Sequence, residues 1–181
     1  MNKESWEESY KKGETPWRDY DVDLSESLKK AGIYSGVALD LGCGTGELSK
    51  WLSNHDFIVE GIDFSEEALR VARDICPSCN FTNWDLDDLE NYPFKHDKYD
   101  IILDSKTIAF IKNKEKYLDT IRKKLKGIFM LQVFLRADEK PFIAVDERKL
   151  ELLLKERFNI LSKQVNSFPN KIWTKYLLQS G

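Results

Sequence analysis

Residues 38 to 52 read ALDLGCGTGELSKWL and set three glycines, Gly42, Gly44 and Gly46, at alternate positions between an apolar run and a helical pattern. Where a strand ends and a helix begins, the helix presents unpaired N–H groups, and glycines let the backbone approach a ligand with no Cβ in the way. Such a turn suits a polar ligand; a ligand-free turn needs only one glycine. A dinucleotide fingerprint, G-x-G-x-x-G, requires its third glycine one position later than Gly46, where this chain has Glu47. A carboxylate there would repel phosphates, which argues against NAD or FAD. Acidic residues end the next two apolar runs, Asp63 in VEGIDFS and Asp85 in NWDLDDL. A carboxylate offers acceptor oxygens for a vicinal diol, and Phe64 and Leu86 can cover the two faces of a purine. The structural alternatives are a helix cap for Asp63 and an ordinary loop acid for Asp85.

These residues need a frame that brings strand ends together. From residue 37 strand and helix signals alternate, the mark of a parallel sheet with helices on both faces. Strands are expected at Val37 to Leu41, Phe57 to Ile62, Asn80 to Trp84, Tyr99 to Leu103 and Ile128 to Leu135. Leu48, Trp51, Leu52 and His55 form the buried stripe of a first helix in this region. Ser65 caps the next helix, with Glu66 and Glu67 in its first turn and Ala68, Leu69, Ala72 and Ile75 facing the core. A long acidic loop follows the third strand. Tyr117, Leu118, Ile121 and Leu125 mark another helix, and Leu150, Leu153, Leu154 and Phe158 a last one. Asn159 to Val165 and Ile172 to Leu178 are separated by a connection too short for a crossover helix, so they should form an antiparallel hairpin.

The segment VALDLGCGTGELS resembles the first motif of the class I S-adenosylmethionine-dependent methyltransferases, and the likeness extends over residues 36 to 178. It implies an α/β, Rossmann-like, doubly wound, seven-stranded and mostly parallel sheet with a C-terminal antiparallel hairpin, and S-adenosylmethionine as cofactor. In that family the acid ending the second strand accepts both ribose hydroxyls, the place of Asp63, and the one after the third binds the adenine amino group, the place of Asp85. Asp40, Gly42, Gly44, Gly46, Phe64, Leu86 and Asp104 also fall in its cofactor-binding region. Upstream, WEESYKKGETPWRD is similar to the N-terminal lid of small-molecule methyltransferases of the thiopurine and tellurite-detoxifying kind. By that likeness Trp17 and Arg18 face the methionine part, Arg18 pairing with its carboxylate, while Trp6 and Tyr10 line the acceptor side. The plainer role for these aromatics is anchoring a terminal helix. One domain is expected over 1–181, with 1–35 as lid and helices and 36–181 as cofactor-binding core.

Two departures narrow the acceptor. LKKLKGIFML has one glycine, Gly127, where many relatives have a proline-glycine-glycine turn, and LDSKTIAF is not the N-P-P-Y type used on adenine or glutamine amino groups. Methyl transfer depends mainly on alignment, and a general base helps only if the nucleophile must lose a proton. The two histidines, His55 and His96, are not expected at strand carboxyl ends. Asp104 could orient an acceptor, act as a weak base or cap the following segment, and Lys106 could attract an anion or simply be exposed. The lack of an evident base favours a small-molecule acceptor with a soft nucleophile such as a thiol. Methylation of a protein lysine is the nearest rival, and a cofactor-binding regulator without catalysis is the rival from another class.

Composition bounds the rest. A chain of 181 residues, 41% hydrophobic, suits one core, and a net charge of −3 gives no general attraction to nucleic acid. The N-terminus lacks the apolar core of a secretory signal and no segment is apolar enough to span a bilayer, so a cytoplasmic monomer or weak homodimer is expected, without membrane partners. Cys76 and Cys79 lack the further ligands a zinc site needs and read as a loop with two thiols, a redox pair being the alternative.

Overall fold

The alternating pattern folds into one seven-stranded sheet in a computed structural model, which describes residues 3–13, 24–137, 144–168 and 171–181. Two helices come first, α1 (Lys3–Lys11) and α2 (Ser25–Ala31). The sheet region runs β1 (Gly36–Leu41), α3 (Glu47–Ser53), β2 (Phe57–Asp63), α4 (Glu66–Ile75), β3 (Asn80–Asn83), β4 (Tyr99–Ser105), α5 (Lys114–Lys124) and β5 (Leu125–Ala137). It closes with α6 (Glu147–Lys155), β6 (Phe158–Phe168) and β7 (Lys171–Ser180). The spatial order is β3-β2-β1-β4-β5-β7-β6. The first five strands are parallel, and β7 inserts antiparallel between β5 and β6. The chain leaves β1 toward β2 on one side and returns to β4 on the other, so the switch point of this doubly wound sheet lies between β1 and β4. Ligands of such sheets bind outside the strand carboxyl ends at that point.

The period-two alternation of the strands supplies a core on each face. Leu39, Leu41, Ile102, Phe129 and Leu131 pack with Tyr117, Leu118 and Ile121 of α5 and Leu150 and Leu154 of α6. Ala38, Val59, Ile101 and Met130 pack on the other face with Leu28 of α2 and Leu52 of α3. Among the described residues four buried carboxylates, Asp40, Glu60, Asp63 and Asp104, break the pattern. Glu60, 1% exposed, accepts the Tyr92 hydroxyl at 2.5 Å and also the Tyr99 hydroxyl. Burial, then Glu60, pushes both phenols well above their ordinary range. The segment before β4 is thereby fastened to β2.

Several local expectations change. Leu125 and Phe158 are not helical; they open β5 and β6, because α5 and α6 stop at Lys124 and Lys155 and run almost directly into strands. Trp84 lies just past β3, and the acidic loop contains a 3-10 turn at Leu86–Asn91. His55 is not on a buried stripe: α3 stops at Ser53, leaving His55 exposed, stacked on Trp51 at 3.7 Å with Nδ1 against the Trp51 carbonyl. Cys76 and Cys79 are a disulfide rather than two thiols. Cys76 ends α4, and the Cys79 N–H donates to its carbonyl at 3.1 Å, a turn that brings the sulfurs together.

Candidate cofactor and acceptor site

The glycine turn is built as a rim around the ends of β1 and β2. The N–H groups of Gly42 and Cys43 both donate to the Ile62 carbonyl, at 2.8 and 3.0 Å. Gly44 N–H donates to Asp63 Oδ2 and Ser65 N–H to Asp63 Oδ1, each at 2.9 Å. Asp63 therefore links the turn to the start of α4, whose first turn the Ser65 hydroxyl caps through the Ala68 N–H. Each carboxylate oxygen retains acceptor capacity for a further donor. The glycines divide the work. At Gly42, φ is +72° and a Cβ would lie 2.0 Å from Thr107 Oγ1; at Gly46, φ is +83° and a Cβ would lie 2.9 Å from Ala72 Cβ. Gly46 thus permits α3 to start against α4, and the nearest atom to a Cβ at Gly44 is the Tyr10 hydroxyl, 3.1 Å away.

Asp40, 1% exposed, accepts the Ser49 hydroxyl at 2.6 Å, which ties α3 to β1. Burial pushes Asp40 and Asp63 up to about 6. Glu47, at the start of α3, accepts the Thr45 hydroxyl at 2.7 Å. Over this rim lies α1. Its Glu7 accepts the Glu66 N–H at the start of α4 at 3.1 Å, and Trp6 meets Phe110 edge-on at 5.4 Å. Trp6 and Tyr10 stack at 6.2 Å, and burial, then Asp63, pushes the Tyr10 phenol far up.

The remaining positions separate. Phe64 is half-buried, and its carbonyl accepts Asn83 Nδ2 at 2.6 Å. Leu86 is buried, while exposed Asp85 caps the 3-10 turn through the Asp87 N–H at 3.1 Å. Asp104 accepts the N–H groups of Thr107 and Ile108 at 2.8 and 3.1 Å and the Tyr117 hydroxyl at 2.9 Å. Its carboxyl is pushed up to about 7 by burial, against the pull of those three donors. Lys106 follows with φ +75°, its N–H donating to the Gln132 carbonyl at 2.7 Å. His96 precedes β4, edge-on to Tyr99, and neither histidine approaches the carboxyl ends. Trp17 and Arg18 lie outside the described residues.

The arrangement fits an adenosyl sulfonium. Its donors include a ribose diol, which Asp63 can accept, and its positive charge suits a rim carrying Glu7, Glu47 and Asp63. Glu7, Thr107 and Gln132 carry no sequence pattern that singles them out, and Tyr117 stands out only as part of a helical stripe; the fold alone brings them to the site.

Residues 35–176 match the family model described as "Methyltransferase domain". The chain is 26% identical over 145 residues to malonyl-[acyl-carrier protein] O-methyltransferase 2 of Ilyobacter polytropus, covering 74% of this chain and 55% of that protein. Among solved structures it resembles TehB from Haemophilus influenzae, at 17% identity and TM-score 0.73 over 97% of this chain and 67% of that one. It also resembles the Burkholderia thailandensis 1,6-didemethyltoxoflavin-N1-methyltransferase, solved with that compound and S-adenosylhomocysteine, at 18% identity and TM-score 0.74 over 98% and 87%. The chain spans about half the length, or less, of the curated relatives it matches. With the glycine turn, Asp63 and the sheet order in place, the chain belongs to this methyltransferase domain family, the class I S-adenosylmethionine-dependent methyltransferases.

Proposed function

We propose that this protein transfers a methyl group from S-adenosylmethionine to a small-molecule acceptor. The observation that carries the reading is Asp63, buried at the end of β2 and bonded to the Gly44 N–H of the turn, with acceptor capacity to spare. The cofactor, when bound, supplies a methyl carbon already activated by sulfonium. The chain's own task is then to hold, orient and exclude water. Asp63 accepts from the ribose; the Gly42 to Gly46 backbone gives close approach; Phe64 and Leu86 flank the base beside Asp85. The α1 helix, resting on the turn through Tyr10 and on α4 through Glu7, shields the reacting end from solvent. Coverage by α1 supports a small acceptor over a lysine on a protein surface.

Alignment alone is worth effective molarities of about 10⁵ to 10⁸ M in favourable cases. Asp104 is occupied by three donors and both histidines lie elsewhere, so the described residues favour an acceptor that needs little deprotonation, such as a thiol near its ordinary pKa of about 8.5. The test is transfer of labelled methyl to a panel of thiols, amines and carboxylates, with calorimetry of S-adenosylhomocysteine on the same protein. Product from a small acceptor is expected. Cofactor binding without product from any class would favour a regulatory role instead.

A further inference from the structure

The C-P-S-C stretch takes no part in methyl transfer. Cys76 ends α4, Pro77 and Ser78 are exposed, and the sulfurs of Cys76 and Cys79 are bonded. A bond that closes so short a loop removes little freedom from the unfolded chain, because that gain grows with loop length. The turn is also closed without it: the Cys76 N–H donates to the Ala72 carbonyl at 2.9 Å and the Cys79 N–H to the Cys76 carbonyl at 3.1 Å. The backbone therefore keeps the two side chains close whether or not the sulfurs are joined. What the loop does reach is α3. Cys79 Sγ lies 3.6 Å from the Ser49 carbonyl, and the hydroxyls of Ser78 and Ser53, the last residue of α3, bond each other at 2.9 Å. Ser49 in turn gives its hydroxyl to Asp40 near the end of β1, and α3 begins beside Gly46, whose close approach to Ala72 sets that start against α4. Helix α3 is thus held against α4 at both ends, by the glycine turn at one and by the C-P-S-C loop at the other. Cys76 is 3% exposed, whereas Cys79 is only half-buried. When the bond opens, the sulfurs must separate to van der Waals contact, and the tight enclosure of Cys76 makes Cys79 the one that moves, at its contact with Ser49.

We infer that Cys76 and Cys79 form a reversible thiol-exchange site, and that opening their bond weakens cofactor binding by loosening α3 where it leaves the glycine turn. The inference rests on the methyltransferase reading for the ligand of that turn. A small thiolate attacks Cys79 Sγ, the sulfur of the less enclosed residue, and forms a mixed disulfide while Cys76 leaves as a thiolate. The Ser78 hydroxyl, 3.5 Å from Cys76 Sγ, can donate to that thiolate. A second thiol then displaces Cys79, so that two small thiols become one disulfide and the protein gains two electrons and two protons. The disulfide of the small thiol reverses both steps.

The test treats the native full chain with dithiothreitol, then counts thiols by acid quenching and alkylation after unfolding. Cys76 and Cys79 should become thiols and join Cys43, the free cysteine of the untreated chain. Calorimetry with S-adenosylhomocysteine should then show binding to the folded, reduced protein at least threefold weaker than to the disulfide form. The double variant Cys76→Ser, Cys79→Ser should bind as weakly as the reduced protein and ignore dithiothreitol. Ser53→Ala, which keeps the disulfide but releases its loop from α3, should weaken binding toward the reduced value and serves if the double variant fails to fold. Five results overturn the switch alone: a disulfide that survives dithiothreitol in the native chain, unfolding on reduction, equal affinity of the two forms, full affinity in a folded variant, or a reductant effect that persists without the two cysteines. Absence of S-adenosylhomocysteine binding in both forms of the folded wild-type protein overturns the methyltransferase reading with it.

Discussion

At the scale of single residues, the site turns on how one carboxylate distributes its lone pairs. Asp63 is committed to two backbone donors and still faces the rim, so it both shapes the turn and can bind what the turn holds. Asp63→Ala should weaken S-adenosylhomocysteine binding by about 1.5 to 3 kcal/mol, the range for losing hydrogen bonds to a charged group. Calorimetry on the folded variant decides this, and unchanged affinity would remove Asp63 from the site. Asp104 is more fully engaged within the protein, one oxygen accepting from the Thr107 and Ile108 N–H groups and the other from the Tyr117 hydroxyl. Asp104→Asn should therefore alter stability more than cofactor affinity, as comparison of urea midpoints with binding isotherms would reveal.

At the scale of elements, two attachments matter. Glu60 fastens the stretch before β4 to the second strand through Tyr92 and Tyr99. Glu60→Leu should cost about 1 to 3 kcal/mol for each hydroxyl left unpaired, measured by chemical denaturation; a variant as stable as the parent would show that the phenols find other partners. The first helix is attached differently, by Glu7 at the start of α4, by Tyr10 over Gly44 and by Trp6 against Phe110. These contacts border the site rather than the main core. Removing residues 1–18 should reduce turnover more than it lowers the melting temperature, and a loss confined to melting would make α1 a structural strut.

At the scale of the whole molecule, burial of Asp40, Asp63 and Asp104 at one end of the sheet couples folding and binding to pH. Their carboxyls are raised to about 6, 6 and 7, so each binds a proton more tightly in the folded chain than in the unfolded one. Their contribution to stability is fully present below the ordinary carboxylate range of about 4 and is lost as pH rises through those folded values. The free protein should thus lose stability between pH 5 and 7 on their account. Ligand that needs ionised Asp63 removes Asp63's share of that slope, and affinity for S-adenosylhomocysteine should fall about tenfold from pH 7.5 to pH 5, one proton's worth over one unit below its midpoint. Urea midpoints with and without the ligand check both signs, and parallel slopes would uncouple Asp63 from binding. The disulfide at Cys76 and Cys79 lies at the far end of α4 from Ser65 and Glu66, so these protonation effects do not run through it.

Local chemistry carried much of this. Period-two and helical patterns, the Ser65 cap and the spacing of Gly42, Gly44 and Gly46 specified the strands, most helices and the turn, because each depends on neighbours within a few residues. The paired ends of α5 and β5, and of α6 and β6, were blurred because Leu125 and Phe158 satisfy a helical stripe and a strand equally well. Only the folded chain could show that Asp63 holds Gly44, that Tyr10 covers the turn, that Asp104 is spent on a cap, or that Gln132 is left with an unpaired donor. Those facts depend on residues far apart in sequence whose positions are set by strand order and register, and the alternation of side chains along one strand says nothing about which strand will stand beside it.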